Sequence, residues 1–137
     1  MKKIGRSAIV EHSADRVYAL VEDIESYPRF LPWCAGARVE RGPAGVTATL
    51  VVGMKGMRQS FTTRNKSRAG QAIDMRLVHG PFRHFAASWR FKPLSQRACG
   101  IEFCMEYEFS SKALGKLLEP LFATIADTMV EDRKSVV

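Results

Sequence analysis

The stretch Ile101-Glu102-Phe103-Cys104-Met105-Glu106-Tyr107-Glu108-Phe109, followed by Ser110-Ser111 and a leucine-rich run to Met129, decides the fold. Ile101, Phe103, Met105, Tyr107 and Phe109 alternate with Glu102, Cys104, Glu106 and Glu108. A period of two places all the large apolar side chains on one face of a strand, and such a face must be covered. The cover is next in sequence. Leu114, Leu117, Leu118, Leu121, Phe122, Ile125 and Met129 recur at helical spacing, and Ser110-Ser111 opens that helix. Pro120 falls inside it and predicts a kink or a break.

Upstream, the same alternation recurs. Strands are expected at 3–10, 37–41, 46–52, 59–67, 72–79 and 85–91, with turns at Gly42-Pro43-Ala44-Gly45, Gly53–Met57, Ala69-Gly70 and Gly80-Pro81-Phe82 and a loop from Pro93-Leu94. Phe85, Ala87, Trp89 and Phe91 share one face of their strand, with Arg90 and Lys92 on the other. One helix interrupts the strands early. Ser13 suits its N-cap, and Val17, Leu20, Val21 and Ile24 form its apolar stripe. It ends near Glu25-Ser26, because Pro28 disfavours helix at Tyr27. The order is strand, helix, six strands, long helix. This argues an α+β fold, an antiparallel sheet with its helices on one face, curled around the last helix.

Between the early helix and the strand run lies Tyr27-Pro28-Arg29-Phe30-Leu31-Pro32-Trp33-Cys34. Two prolines and three aromatics in eight residues exclude a long helix or a central strand. The stretch is a short turn or one-turn helix. It either plugs one end of the core or forms the rim of a pocket or a membrane-touching loop.

With 137 residues, 46% of them hydrophobic, the chain has room for a single domain over 1–137. No apolar run approaches the roughly 20 residues of a membrane span. The start, Met1-Lys2-Lys3-Ile4-Gly5-Arg6, lacks the apolar core of a secretory signal. Three cysteines without a CxxC pair argue against a disulfide framework or a zinc ribbon, and three scattered histidines against a metal cluster. A cytoplasmic protein is expected. The net charge of +7 is concentrated: residues 55–97 carry ten Lys/Arg and one acid, Asp74. Such a block serves nucleic acid, ribosome or anionic lipid, or else is a solvated face partly neutralised by neighbouring strands. By strand parity Arg64, Lys66, Arg68, Arg76, Arg90 and Lys92 share the outer face with Glu102, Glu106 and Glu108. If the last strand pairs with that of Trp89, the glutamates neutralise Arg90 and Lys92 and leave Arg64, Lys66 and Arg76 uncompensated.

The Tyr27–Cys34 stretch, the turn Gly80-Pro81-Phe82, the strand Trp89-Arg90-Phe91 and the run Glu106-Tyr107-Glu108-Phe109-Ser110 together resemble the coenzyme Q-binding family of START-like, helix-grip domains. Its bacterial branch is called ribosome association toxin, and the wider group polyketide cyclase/dehydrase-like. The resemblance covers roughly residues 1–130. It implies a seven-stranded antiparallel sheet gripping the C-terminal helix, short helices after the first strand, and an apolar cavity between sheet and helix. It also implies ubiquinone or a similar polyprenyl lipid as ligand, in support of respiratory electron transport. The chain departs from the family after Val130: Glu131–Val137 lacks the further aromatic and the Arg-Ala pair, which bears on closure of the cavity at that end.

Facing residues of a curled sheet and of the helix must meet, and cavities form where the two stand apart. The candidate wall is Phe61, Met75, Leu77, Phe85, Trp89, Phe103, Met105, Leu118 and Phe122, with Phe30, Leu31 and Trp33 at an entrance. Each is also an ordinary core residue. Methionine and aromatic side chains suit an isoprenoid tail and a flat ring. No nucleophile–base–orienter set is legible, so no enzyme and no required cofactor is expected. His79 shares the parity of Met75 and Leu77 and so either points inward or meets solvent; Tyr107 offers a hydroxyl to the cavity; Cys34 reads as packed. The expected partners are a polyprenyl lipid, an anionic membrane surface bound peripherally at the inner membrane, and the large ribosomal subunit. Met54, Met57 or Trp33 would touch that membrane. The alternative reading is a ribosome-binding toxin that blocks subunit association, and a weaker one is a polyketide cyclase-like enzyme using His79 and Tyr107.

Overall fold

The computed structural model describes residues 1–54 and 56–134, without the side chains of 54 and 132–134. The elements in order are β1 (Lys2–Val10), α1 (Ala14–Glu22), a 3-10 helix (Ile24–Arg29), β2 (Cys34–Gly42), β3 (Gly45–Met54), β4 (Met57–Arg68), β5 (Ala72–His79), β6 (Phe82–Ser95), β7 (Ala98–Phe109) and α2 (Lys112–Lys134). The strands form one seven-stranded sheet in the order β1-β7-β6-β5-β4-β3-β2, antiparallel throughout. Strands β2 to β7 are a meander, and β1 closes onto the last strand, with Ile4 opposite Met105 and Val10 opposite Cys99. Helix α1 and the 3-10 helix carry the chain from one sheet edge, β1, to the other, β2. This is the helix-grip architecture that the resemblance implies.

The period-two reading of β7 holds. Ile101, Phe103, Met105, Tyr107 and Phe109 are all buried. Helix α2 packs on β1 and β7 through Leu118, Leu121, Phe122, Ile125, Ala126 and Met129, all buried. Leu117 is 58% exposed, about 100° around the helix from Leu118. The break expected at Pro120 does not occur, and α2 is continuous across it. The proline costs about 3 kcal/mol in a helix interior. Leu118, Leu121 and Phe122 beside it are each at most 1% exposed. At about 1.5–3 kcal/mol per buried side chain, their packing outweighs that cost.

Ser13 caps α1 as expected, its hydroxyl accepting from the Arg16 N–H at 3.2 Å. The helix stops at Glu22, three residues earlier than Pro28 alone suggests, and the chain tightens into the 3-10 helix that includes Pro28. The Tyr27 hydroxyl donates to the Val21 carbonyl and ties the two together. Strand β6 is longer than its sequence suggests: Phe82 starts it, and Pro93 continues it across a register shift near the hairpin end. A proline is tolerated in a strand at such an irregularity.

Three residues of the quoted motifs acquire physical roles here. Gly80 passes so close to β4 that a Cβ on it would sit 2.7 Å from the Cβ of Phe61. The next residues then set Phe82 into a ring cluster, stacked on Phe109 at 5.0 Å and edge-on to Phe122 at 5.3 Å. Tyr107 is 1% exposed and donates its hydroxyl to Glu119 Oε1 on α2 at 3.2 Å, while Lys2 approaches the same oxygen at 3.2 Å. The expected hydroxyl inside the cavity is therefore a strand-to-helix tie. Burial, reinforced by the Glu119 carboxylate, pushes the phenol well above its ordinary range.

Gly80→Ala is expected to destabilise the fold by about 1–3 kcal/mol through overpacking against Phe61, read as a lowered denaturation midpoint. The folded Tyr107 keeps its proton beyond the ordinary value of 10.0, so its contribution is intact below that pH and declines as pH rises above it. Tyr107→Phe is expected to cost about 1 kcal/mol at neutral pH and to flatten that alkaline decline, measured by denaturant titrations from neutral to alkaline pH.

Candidate functional site

A cavity of about 70 Å3 lies between the inner face of β3–β7, the end of α1 with the 3-10 helix, and α2. Its lining runs along β4 from Phe61 through Thr63 and Asn65 to Ser67. At a strand rise of about 3.3 Å per residue this spans about 20 Å. The Phe61 end is aromatic: its ring lies 5.4 Å from Phe85 and 5.8 Å from Phe122. Trp89 and Phe103, 4.7 Å apart, continue the wall. Met75, Met105 and Met129 also line it.

Towards the opposite end β4 itself turns polar, while by register Trp89 and Phe103 stand level with Ser67. Asn65 is 4% exposed and Thr63 5% exposed, the buried polar side chains of the described residues. Thr63 Oγ1 donates to Asn65 Oδ1 at 2.7 Å. In the sheet, Asn65 stands between Val46 and Met75, neither of which offers a hydrogen-bond partner. Among the described residues the Nδ2 group of Asn65 has no acceptor. Beyond it, exposed Ser67 and half-buried Glu22 mark the mouth. Tyr18 lies beside Ser67 and Glu22 there, its phenol pushed up by burial, lowered by Ser67 and raised again by Glu22. Arg41 reaches across from β2 to Glu22 at 3.5 Å and Glu25 at 3.9 Å.

The sequence-derived wall divides. Phe61, Met75, Phe85, Trp89, Phe103, Met105, Phe122 and Trp33 line the cavity. Leu77 packs at the core's margin, and Leu118 and Leu31 are buried away from the lining. Phe30 is 41% exposed beside Tyr27. The Tyr27–Cys34 stretch is mostly a plug: Trp33 is 4% exposed and its Nε1 donates to Thr128 Oγ1 on α2 at 2.7 Å, so it does not touch a membrane. Met57 is half-buried; the Met54 side chain and residues 135–137 lie outside the described residues. Cys34 is buried with its thiol on the Gly36 carbonyl at 3.4 Å, and burial pushes that thiol up, away from reactivity.

His79 does not point inward. The β4–β5 register shifts so that Thr63 faces Leu77 while Thr62 faces His79, with Val78 as the extra residue. This bulge reverses the parity, and His79 is exposed on the outer side. With Tyr107 committed to Glu119, neither polar group of the cyclase reading reaches the cavity. Among the described residues no cluster suited to a metal ion occurs, and no helix is long and apolar enough to cross a membrane.

Sequence parity missed Asn65. Its signal was present: Asn65 shares the parity of Phe61 and Thr63, the inward face of β4.

The outer face carries the basic block. Strand β7 pairs with β6, and Arg90 stands opposite Glu102 in register. The ion pair expected there is replaced by one to Asp74 on β5, at 2.8 Å. Glu106 meets His84 at 3.0 Å and Lys3 at 4.0 Å, and Glu108 meets Arg83 at 3.5 Å. Lys92 has no carboxylate partner among the described residues. Arg64 stands directly opposite Arg76, again without a carboxylate among the described residues, and Lys66 faces an Asp74 already engaged by Arg90. Like charges opposed across a strand pair are destabilising.

Over 132 residues the chain is 43% identical to ribosome association toxin RatA of Escherichia coli K12, covering 96% of this chain and 84% of that protein. It is 30% identical to the mitochondrial coenzyme Q-binding protein COQ10 homolog B of Xenopus laevis, covering 92% of this chain and 54% of that one. The fold superposes on the Zhui aromatase/cyclase from Streptomyces sp. R1128 with a TM-score of 0.79 at 15% identity, over 96% of this chain and 93% of that one. The profile of the polyketide cyclase / dehydrase and lipid transport family matches residues 10–134, and the chain belongs to that family.

Proposed function

We propose that this protein is a non-catalytic binding module that takes up ubiquinone, or a similar polyprenyl lipid, into the cavity, in support of respiratory electron transport. The observation that carries this reading is an apolar cavity with one buried, unpaired polar group at one end. That is the pattern of an amphiphile with a long apolar part and a small acceptor-bearing head. The name of the frog relative, a coenzyme Q-binding protein, supports the same ligand class. At about 70 Å3 the cavity is far below the roughly 300–1,000 Å3 of ligand pockets, so uptake requires widening. Met75, Met105 and Met129 in its wall give room by changing rotamer, without opening the sheet.

A second reading, association with the large ribosomal subunit, is favoured by a separate observation. Arg64 opposed to Arg76, with Lys66 and Arg68 alongside, is a cost to the fold that a polyanion relieves. RatA, the bacterial relative, is named for ribosome association. This surface lies on the face of the sheet opposite the cavity, so the two readings do not compete for the same residues. The same face suits an anionic membrane surface, at about 1 kcal/mol per basic residue.

Native mass spectrometry of freshly purified protein, followed by solvent extraction, is expected to release a quinone at near-stoichiometric amount. Protein that is empty and takes up no added quinone would overturn the carrier reading. Co-sedimentation with large subunits at low salt is expected to fall steeply as salt rises and to be lost in Arg64→Glu/Arg76→Glu, which keeps quinone uptake. Co-sedimentation unaffected by that double substitution removes the outer face from the second reading.

A further inference from the structure

We infer that Asn65, held in place by Thr63, anchors the lipid head group: its Nδ2 donates to a carbonyl oxygen of the head, which rests near the mouth while the tail occupies the aromatic end. This deepens the lipid-binding reading and rests on it.

A buried donor without an acceptor destabilises a fold by about 1–3 kcal/mol. Asn65 is 4% exposed, and among the described residues its side chain makes one hydrogen bond, accepted by Oδ1 from Thr63. That bond turns the oxygen towards the hydroxyl and leaves Nδ2 as the free end of the amide. Two of its immediate neighbours, Val46 and Met75, are apolar and cannot satisfy it. Leucine at 65 and valine at 63 would fill the same space without an orphan, so the polar pair is a burden on stability that a bound acceptor relieves.

The chemistry of the acceptor follows from the donor. An amide N–H is neutral, so it does not compensate a phosphate or carboxylate; no Lys or Arg lines the cavity beside it, and Arg41 at the mouth is already engaged by Glu22. A neutral carbonyl, as on a quinone ring, fits. The orientation follows from position. Asn65 stands one strand repeat from Ser67 at the mouth and two from Phe61 at the closed aromatic end. A lipid held by Asn65 therefore inserts tail first, and its head stays close to Tyr18 and to the Arg41–Glu22 pair.

The test uses the full chain and a two-isoprene ubiquinone as probe. Both tryptophans, Trp33 and Trp89, line the cavity, so quinone binding is read by quenching of intrinsic fluorescence. Squalene, a polyisoprene without oxygen, serves as a competitor. In Thr63→Val/Asn65→Leu, quinone affinity is expected to fall about tenfold, equal to about 1.4 kcal/mol, while displacement by squalene and the ligand-free denaturation midpoint are kept or raised. Asn65→Asp, nearly the same shape with the donor exchanged for an acceptor, is expected to lose quinone in the same way, and it decides the matter if the double variant fails to fold. Unchanged quinone affinity in the variants overturns the anchor and leaves lipid carriage standing. Equal loss of quinone and squalene also overturns it, because the pair then only shapes the cavity. Wild-type protein that binds neither probe overturns the carrier reading, and the anchor falls with it.

Discussion

Burial of one face of β7 is the constraint on which the rest of the molecule depends. Ile101, Phe103, Met105, Tyr107 and Phe109 project from a strand that is itself central, flanked by β1 and β6. A sheet alone cannot hide them. Helix α2 does so, and because it follows β7 directly, it must fold back over the strand it has just left. Its course fixes where the sheet can curl and where a gap remains. The helix is drawn to the β1–β7 side, by Tyr107–Glu119 at one level and Arg6–Asp127 at another. The more distant strands, β3 to β5, are left to be covered by the 3-10 helix and the Trp33 plug. The cavity is the space that neither cover fills.

Much of this was legible because strand parity and helical spacing report packing directly. The α+β class, the strand run, the capped early helix and most of the aromatic wall follow from periods of 2 and 3.6 alone. The failures share one cause: interactions between distant segments. Parity left His79 either inward or at solvent, and a bulge created by pairing with β4 decided it outward. Parity put Tyr107 at the cavity, but Glu119 on α2 claimed its hydroxyl. Arg90 took the carboxylate on β5 rather than the one opposite it on β7. Asn65 went unnoticed because a polar side chain is judged by its neighbours, and those come from β3 and β5.

Strand β4 carries two chemistries back to back. Its odd-numbered residues, Phe61 to Ser67, grade from aromatic to polar along the cavity, while its even-numbered residues, Arg64 to Arg68, are basic and face solvent. The sheet between them is one residue thick. Any displacement of β4 moves its inner polar row and its outer cations together.

The pairing of β1 with β7 has a bearing on how the chain comes into being. Lys2 finds its partner in Tyr107, about a hundred residues later. During synthesis at about 5–20 residues per second, β1 waits for about 5–20 s with no strand to join. The meander from β2 to β6 can assemble in that interval by nearest-neighbour hairpins, but the first strand remains an open edge with an apolar side until the last one emerges. Closure of the sheet is therefore a late, long-range step, and folding is set by contact order rather than by local propensity.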